Sequence, residues 1–412
     1  MSILTLNCGS SSVKFSVYSP KDGDLFCRGL VERVGSAESI LKLKHGEKET
    51  RIEQACADHT EAVALVLKVL TGGDDSPVTD LAAIQAVGHR TVHGGDKFAN
   101  SARVTPELIK TLEDLSALAP LHNPPNLAGI RAAQALLPDI PHVAVFDTAF
   151  HQTLEPEAYL YPVPYAWYEK HGIRRYGFHG TSHLYVAHRA AALLGRAYDS
   201  VRLVTLHIGN GASAAAVCCG RSIDTSMGFT PLDGLVMGTR SGSIDPAIPL
   251  FVMRAENLPA ADMDRILNKK SGLLGLTDRF SDRRDIEKAA RDGDERCKEA
   301  IELEARGLKK IIGAYAAVMG GLDAVVFTAG VGENSSLIRQ KTLVGLQFLG
   351  IHLDEEANAL AHGGDAEARI SKPDSAVRAF VIPTNEERVI AEDTLAICED
   401  RFDKPDFKYS FA

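Results

Sequence analysis

Three turns rich in glycine and small polar residues have the composition that phosphate binding requires. They are residues 9–12, 209–213 and 330–334, and each follows a run of apolar residues. Glycine lets consecutive backbone N–H groups point inward without a Cβ clash, and serine or asparagine side chains add donors. One such turn alone is more often a simple connection between strands. Three of them at the ends of predicted strands therefore favour phosphate binding.

Two arginines lie in glycine-rich sequence, where a guanidinium could reach a bound anion. Arg90 is part of GHRTVHGG, and Arg240 is part of MGTRSGS. The planar guanidinium can donate two N–H groups at once to a carboxylate or a phosphoryl group. A solvated surface arginine is the alternative at each position, but the glycine-rich setting favours anion binding.

Asp147 and His179 could act on a reacting group. Asp147 directly follows residues 143–146, which predict a buried strand, and ligand chemistry gathers at the ends of such strands. His179 lies between Phe178 and Gly180, where the small neighbour leaves the imidazole accessible. A structural role is the more common one for a lone histidine, so His179 stays a hypothesis at this point.

The elements that must position these residues occur twice along the chain. Residues 4–17, LTLNCGSSSVKFSV, predict a strand, a turn and a second strand, and residues 204–217, VTLHIGNGASAAAV, repeat the pattern. Helices are predicted at 61–70, 105–119, 126–136, 247–268, 285–320 and 383–398, further strands at 83–87 and 324–328, and loops at 124–125 and 227–243.

The repeat predicts an α/β fold made of two duplicated actin-like ATPase, or ribonuclease H-like, domains. We expect residues 1–150 with 383–412 to form the N-terminal domain and residues 151–382 to form the nucleotide-binding C-terminal domain. The chain has no GxxxxGK[ST] loop and no GxGxxG that opens a helix after its first strand. P-loop and Rossmann enzymes are therefore disfavoured. The fold by itself includes chaperones and filament proteins as well as kinases.

Bulk composition narrows the class of protein. The chain has 412 residues, of which 24% are charged, and a formal net charge of -9, so neither nucleic acid nor an anionic membrane is an expected partner. Its seven cysteines are scattered without zinc-like spacing, which is typical of reduced thiols. No uncharged apolar stretch is long enough to span a bilayer. The expected location is the cytoplasm.

The motifs, taken in order, resemble those of the acetokinase family of short-chain carboxylate kinases. They are NCGSSSVKF, GHRTVHGG, HNPPN, VFDTAFH, RYGFHGTSH, GNGAS, MGTRSGSIDP, FTAGVGEN and PTNEE, and they span almost the whole chain. The resemblance implies reversible, magnesium-dependent phosphoryl transfer from ATP to acetate, with propionate or butyrate as the alternative acceptor. It also implies an active site in the cleft between the two domains, a homodimer, and Mn²⁺ as a substitute for Mg²⁺.

The chemistry of that reaction explains the residue types. A carboxylate must approach a polyanionic phosphoryl group, so arginines and magnesium are needed to neutralise charge. The resemblance implies that Arg90 binds the substrate carboxylate, that Arg240 stabilises the transferring phosphoryl group, and that His179 hydrogen-bonds it. Asp147 is either a catalytic base or a magnesium-side residue. Acetate has a pKa of about 4 and is already ionised, so holding a magnesium-bound water or orienting Arg240 is the favoured role.

The resemblance assigns the other site residues in three groups. The apolar pocket and substrate side comprise Val92, Leu121, His122, Phe178 and Pro231. The nucleotide side comprises Ser10, Ser12, Lys14, His207, Ile208, Gly209, Asn210, Gly211, Asp282, Arg283, Arg284, Gly330, Val331, Gly332, Glu333 and Asn334. The metal ligands are Asn7 and Glu386. Two assignments keep alternatives, since Lys14 could be the polar face of its strand and residues 282–284 a solvated helix cap.

Two other functional classes remain open at this stage. One is an actin-like ATPase module that clamps a partner protein and hydrolyses ATP without a small acceptor. That function does not explain why Arg90 and Arg240 lie in glycine-rich loops. A sugar kinase needs a carboxylate base for a hydroxyl group, and Asp147 alone supports it.

Overall fold

A computed structural model of the chain describes residues 2–19, 23–73, 76–119, 122–364 and 366–412. The strands are β1 Ser2–Gly9, β2 Ser12–Tyr18, β3 Leu25–Glu32, β4 Ile40–His45, β5 Lys48–Glu53, β6 Ile84–Thr91, β7 Ala102–Arg103, β8 His142–Phe146, β9 Arg202–Ile208, β10 Ala212–Cys218, β11 Arg221–Thr225, β12 Ala324–Thr328, β13 Ala368–Arg369 and β14 Arg378–Val381.

The α-helices are α1 His59–Thr71, α2 Pro106–Asp114, α3 Asn123–Leu136, α4 Pro156–Tyr159, α5 Tyr165–His171, α6 Gly180–Leu194, α7 Ala247–Ala255, α8 Ala260–Lys269, α9 Gly272–Thr277, α10 Arg283–Arg291, α11 Glu295–Val318, α12 Ala329–Asn334, α13 Ser336–Leu343, α14 Glu355–Leu360 and α15 Glu386–Cys398. Short 3₁₀ turns lie at Leu81–Ala83, Leu115–Ala117, Ala149–Thr153, Tyr198–Ser200 and Gln347–Leu349.

The chain divides into two compact units. Unit 1 comprises Met1–Phe150 and Asn385–Ala412, and unit 2 comprises His151–Thr384. Among the described residues, no helix combines the length and the apolar character that crossing a bilayer would need.

Each unit has a mixed sheet with the same central strand order. In unit 1 the order is β5-β4-β3-β2-β1-β6-β8-β7, and in unit 2 it is β11-β10-β9-β12-β14-β13. The strands β1 and β9 each pair antiparallel with the next strand of a hairpin and parallel with a strand from further along the chain. The shared run of antiparallel hairpin and parallel crossover confirms the duplicated α/β fold that the repeat predicts.

Strand β1 is buried on both faces, which explains its nearly continuous apolar sequence. Leu4 and Leu6 pack in a core with residues of α1 and α3. Ile3 points to the other face, where it packs with Ala391 of α15. The helix α15 therefore belongs to the fold of unit 1 although it comes at the end of the chain.

The structure corrects several predicted boundaries. Pro124 and Pro125 lie in the first turn of α3 rather than in a loop, because the first turn needs no backbone donors from its residues. The helix predicted at 247–268 is two helices separated at Pro259, and the one at 285–320 is broken at Gly293, whose φ is +103°. Residues 330–334 form most of α12 rather than an open turn.

Candidate active site

Arg90 and Asp147 lie side by side at one edge of the unit 1 sheet. Arg90 is near the end of β6, Asp147 directly follows β8, and the two strands are parallel neighbours. Arg90 donates Nε–H to Asp147 Oδ1 at 2.9 Å and Nη2–H to Oδ2 at 2.6 Å. The Asp147 side chain is 1% exposed and that of Arg90 is 20% exposed. This is a partly buried, bidentate ion pair.

The electrostatic setting keeps Arg90 charged. Burial alone would lower the pKa of its guanidinium, but the charges of Asp147 and Glu386 and the hydrogen bonds to Asp147 raise the pKa overall. Two of the five guanidinium N–H groups are used by Asp147, which leaves three for other acceptors. Arg90 is therefore a pre-oriented cation with unused donors.

Glu386 opens α15 and has the properties of a metal-site carboxylate. Its Oε1 is buried and has no hydrogen-bond partner among the described residues. Burial raises the pKa of Glu386 to about 7, against the lowering effect of Arg90 and together with the raising effect of Asp147. A divalent cation would satisfy this oxygen and favour the ionised form. The residues present therefore fit a metal ion.

Asn7, the other predicted metal ligand, lies on β1 opposite Lys14 of β2 and is half-buried. No cluster of three or more His, Cys, Asp or Glu side chains suited to a metal occurs in the described part of the chain.

Two asparagines of α3 hold the segment after Arg90 in place. Asn126 accepts a hydrogen bond from the Val92 backbone N–H at 3.0 Å and donates to the Cys8 carbonyl at 2.8 Å. Asn123 donates to the His93 carbonyl at 3.1 Å. Sequence reasoning missed both, although their spacing of three residues would have placed them on one helix face if 124–125 had been read as helical.

In unit 2, Arg240 is a partly buried cation without a carboxylate partner among the described residues. Its Nη1 donates to the Pro231 carbonyl at 3.2 Å and lies 3.9 Å from the sulfur of Met237. Burial lowers the pKa of its guanidinium. An arginine that is desolvated without a counter-charge favours the binding of an anion.

Arg240 and His179 converge at the turn between β9 and β10. A Cβ placed on Gly211 would lie 3.5 Å from Arg240 Nη1, 3.6 Å from His179 Cε1 and 3.8 Å from His179 Nε2. The turn is tied to the 227–243 loop, since Gly238 N–H donates to the Asn210 carbonyl at 3.0 Å. The glycine therefore leaves open a space that faces a guanidinium and an imidazole.

Two stacked histidines form one wall of this site. The His179 and His207 rings are 4.1 Å apart with an interplanar angle of 20°. His179 immediately precedes α6 with a φ of +57°, a strained left-handed conformation for a residue with a side chain. Its Nδ1 is 2.8 Å from Ser213 Oγ, and His207 Nδ1 is 2.8 Å from Ser182 Oγ. Both rings are thus held by serine hydroxyls.

Comparison with known proteins matches the chain to one family over nearly its whole length. Residues 2–392 match the model of the Acetokinase family. The chain belongs to the Acetokinase family. It is 54% identical over 414 aligned residues to the acetate kinase of Geobacter metallireducens, covering 100% of this chain and 98% of that one.

Solved structures agree with that assignment. The crystal structure of Porphyromonas gingivalis acetate kinase matches with a TM-score of 0.92 at 48% identity, covering 96% of this chain and 99% of that chain. A propionate kinase from Francisella tularensis matches with a TM-score of 0.88 at 39% identity, covering 95% and 98%.

The run SDRRD at residues 281–285 carries a helix cap in this structure. Asp282 is the N-cap of α10 and accepts hydrogen bonds from the Arg284 backbone and guanidinium, and the Arg284 side chain is 90% exposed. Arg283 is buried in an ion pair with Glu304. Asp282 and Arg284 thus form a helix cap and the Arg283 side chain is buried, while a nucleotide contact of these residues stays a prediction.

The third predicted phosphate segment, residues 330–334, is held by its own polar side chains. Glu333 Oε1 accepts from the Thr384 backbone N–H at 3.2 Å, and Asn334 donates to the Gly330 carbonyl at 2.8 Å. A Cβ on Gly330 would meet no atom within 4 Å, so this end of α12 is open. Gly332 is buried and Val331 half-buried. Backbone groups near Gly330 remain the candidates for contact with a nucleotide.

The remaining predicted residues differ in exposure and in the elements that carry them. Ser10 is exposed at the tip of the β1–β2 hairpin, Ser12 is half-buried and Lys14 is exposed on β2. Val92, Phe178 and Ile208 are buried, and His122 directly precedes α3. Leu121 lies outside the described residues. The helix predicted at 105–119 is shorter in the structure, since α2 ends at Asp114 and continues as a 3₁₀ turn.

Proposed function

We propose that this chain is an acetate kinase, which transfers the γ-phosphoryl group of ATP to acetate and gives acetyl phosphate and ADP in a reversible reaction. Full-length likeness to proteins named acetate kinase supports the proposal. The observation that carries it is a pair of arginines suited to two different anions. Asp147 holds Arg90, and Arg240 lies beside His179 with no carboxylate partner in the described part of the chain.

Arg90 binds acetate, the acceptor of the phosphoryl group. Its three unused N–H groups bind the acetate carboxylate, and Asp147 fixes the plane in which they point. Asp147 is not needed as a base, because ionised acetate has no proton to lose. One acetate oxygen forms a bond to the γ-phosphorus while the bond from that phosphorus to the bridging oxygen of ADP breaks, and no proton moves.

Arg240 and His179 act on the transferring group. Both face the space above Gly211, where N–H donors reduce the negative charge on the equatorial phosphoryl oxygens. Backbone N–H groups of residues 209–213, and those near Gly330, hold the other phosphates of the nucleotide.

Asn7 and Glu386 would hold a Mg²⁺ ion, or Mn²⁺ in its place. When bound, the ion neutralises phosphate charge on the nucleotide. The buried, unpartnered Oε1 of Glu386 supports this assignment.

Propionate or butyrate is the alternative acceptor. The likeness to the propionate kinase of Francisella tularensis favours this alternative, though less than the identity to acetate kinases favours acetate. One methylene in an apolar pocket changes binding by only about 1–3 kcal/mol, so selectivity among these acids needs measurement.

Hydroxylamine trapping tests the proposal. The chain is incubated with ATP, Mg²⁺ and acetate, propionate, butyrate or glycerol in turn, and acyl phosphate is read as the hydroxamate. We expect hydroxamate from acetate above the other acids, none from glycerol and none without ATP. If no acid gives hydroxamate, the proposal is wrong; a higher kcat/KM with propionate or butyrate would select the alternative.

The family resemblance also supports a homodimer, two domains that correspond to units 1 and 2, and a cytoplasmic location. The helix α7 in unit 2 exposes Ile248, Leu250 and Phe251, the last at 66%, and exposed apolar side chains of this kind mark association surfaces. Light scattering after gel filtration would give the mass of the particle, and a monomer at micromolar concentration would exclude the dimer.

A further inference from the structure

We infer that the hydroxyl group of Thr205 sets the tautomer of His179 through His183 and Ser213, so that neutral His179 carries its proton on Nε2. The inference deepens the proposed function, because Nε2 is the nitrogen that lies with Arg240 near Gly211. Thr205, His183 and Ser213 are then positioning residues for the donor that meets the phosphoryl group.

Four side chains of unit 2 form one continuous run of hydrogen bonds, which we call the Thr205–His179 chain. Thr205 Oγ1 is 2.7 Å from His183 Nδ1, His183 Nε2 is 2.8 Å from Ser213 Oγ, and Ser213 Oγ is 2.8 Å from His179 Nδ1. The strands β9 and β10 carry Thr205 and Ser213, and the helix α6 carries His183.

The direction of these bonds follows from Thr205. Thr205 is fully buried, and the described residues offer its hydroxyl no second partner. If His183 donated to Thr205, the hydroxyl proton would be left without an acceptor in the interior, which is costly. Thr205 therefore donates to His183 Nδ1.

The second bond of the chain, from His183 to Ser213, has the same donor-to-acceptor direction. It is fully buried, and burial together with the neighbouring His151 and His207 holds the pKa of His183 well below its usual range, so the ring is neutral. A neutral imidazole that accepts at Nδ1 carries its proton at Nε2. His183 therefore donates to Ser213 Oγ.

The third bond of the chain, from Ser213 to His179, also keeps this donor-to-acceptor direction. Its hydroxyl is fully buried and has one proton, and since it accepts from His183 it donates that proton to His179 Nδ1. His179 then accepts at Nδ1, and its own proton is on Nε2. A proton on His179 Nδ1 would leave one buried hydroxyl proton without an acceptor: that of Ser213 if its oxygen accepted from both histidines, or that of Thr205 if every bond of the chain were reversed.

A neighbouring histidine provides an internal control. His151 Nε2 is 3.1 Å from the Phe178 carbonyl, which only accepts, so Nε2 donates and Nδ1 accepts from Ser222 Oγ at 2.8 Å. Ser222 is also fully buried, and among the described residues its hydroxyl bonds to His151 and to no member of the Thr205–His179 chain. Removing the hydroxyl of Ser222 should leave His179 unchanged.

The test uses the full chain with ¹⁵N in its histidine rings and long-range ¹H–¹⁵N correlation spectra, which distinguish the two neutral tautomers. His179→Gln assigns the His179 signals. We expect the Nε2–H tautomer at His179 in the unsubstituted chain, a mixture of tautomers in Thr205→Val, recovery in Thr205→Ser, and no change at His179 in Ser222→Ala.

The Nδ1–H tautomer at His179 in the unsubstituted chain would overturn the inference, and so would a Thr205→Val spectrum that matches the original. If Thr205→Val does not fold, the tautomer in the unsubstituted chain still decides. The kcat should fall about tenfold or more in Thr205→Val and recover in Thr205→Ser. A chain that shows the expected tautomers but forms no hydroxamate would refute the proposed function and leave the tautomer assignment standing.

Discussion

The guanidinium of Arg90 and the carboxylate of Asp147 form two parallel hydrogen bonds, of 2.9 Å and 2.6 Å, across neighbouring parallel strands. From the sequence, we expected Asp147 to hold a magnesium-bound water or to orient Arg240. Within unit 1 the partner of Asp147 is the arginine that was expected to bind the substrate carboxylate. We therefore expect the aspartate to act on the acceptor through Arg90.

Asp147→Asn should weaken acetate binding. The amide keeps one acceptor oxygen but turns an NH₂ group toward Arg90, so the guanidinium loses its bidentate support. We expect KM for acetate to rise about 10- to 100-fold, with KM for ATP changed about threefold or less. Steady-state kinetics with each substrate varied gives both values.

Glu367→Gln is the matched control, because Arg189 donates Nε–H and Nη2–H to Glu367 at 2.6 Å and 2.8 Å in a bidentate pair of the same kind. It should leave KM for acetate unchanged. Loss of an acidic titration from the kcat profile of Asp147→Asn would instead identify Asp147 as a base.

Gly211→Ala should impair catalysis without harming the fold. The new methyl group would meet Arg240 Nη1 at 3.5 Å and His179 at 3.6 Å, which are ordinary contacts, but it would fill the space that both side chains face. We expect kcat to fall about tenfold or more and the melting temperature to stay within a few degrees. Gly313→Ala on α11, where a Cβ meets nothing within 4 Å, is the control and should keep full activity. Unchanged kcat in Gly211→Ala would remove that space from the site.

Asp393 should make the fold less stable as the pH rises. The carboxyl accepts from Ser101 Oγ at 2.6 Å and from Tyr409 Oη at 2.8 Å, and burial raises the pKa of Asp393 to about 7 despite both bonds. Because this folded-state pKa lies above the unfolded value of 3.8, the folded chain holds the proton more tightly between these two values. The stabilising contribution is complete below about pH 4 and is lost as the pH rises towards 7.

Asp393→Asn tests this dependence, since the amide cannot ionise. Between pH 5 and pH 8, we expect the free energy of unfolding of the variant to rise by about 1–3 kcal/mol relative to that of the original chain. The difference between their melting temperatures should grow accordingly. Asp374→Asn, at an exposed position, should show no such trend. A constant difference for Asp393→Asn across this range would contradict the raised pKa.

Arg339 should stabilise the segment around α12. The buried guanidinium donates to the carbonyls of Gly332, Glu333, Asn358 and Ala361 and to the Asn358 side chain, at 2.7–2.9 Å. Lysine cannot reproduce this fork, so Arg339→Lys should lower the free energy of unfolding by about 2–4 kcal/mol and raise KM for ATP. Arg284→Lys replaces an arginine whose side chain is 90% exposed and should leave the melting temperature nearly unchanged. An equal effect of the two substitutions on melting temperature would refute the prediction.

The sequence predicted the elements better than their ends. Apolar periodicity located both hairpins and the strands at 143–146 and 324–328, because that signal is local. The predicted helices at 247–268 and 285–320 continued through Pro259 and Gly293, because the apolar spacing is kept on both sides of each interruption. The sequence analysis also predicted a loop at Pro124 and Pro125, although proline is tolerated in a first helical turn.

By itself the sequence determined the duplicated α/β pattern, the glycine-rich turns, the two arginines in glycine-rich segments and the family. The tertiary structure alone decided which partners these side chains have. Arg90 meets Asp147 because two parallel strands end at one edge, and Thr205 reaches His179 only through side chains of a strand and a helix. Hydrogen-bond direction and desolvation depend on residues far apart in the chain, and no local pattern records them.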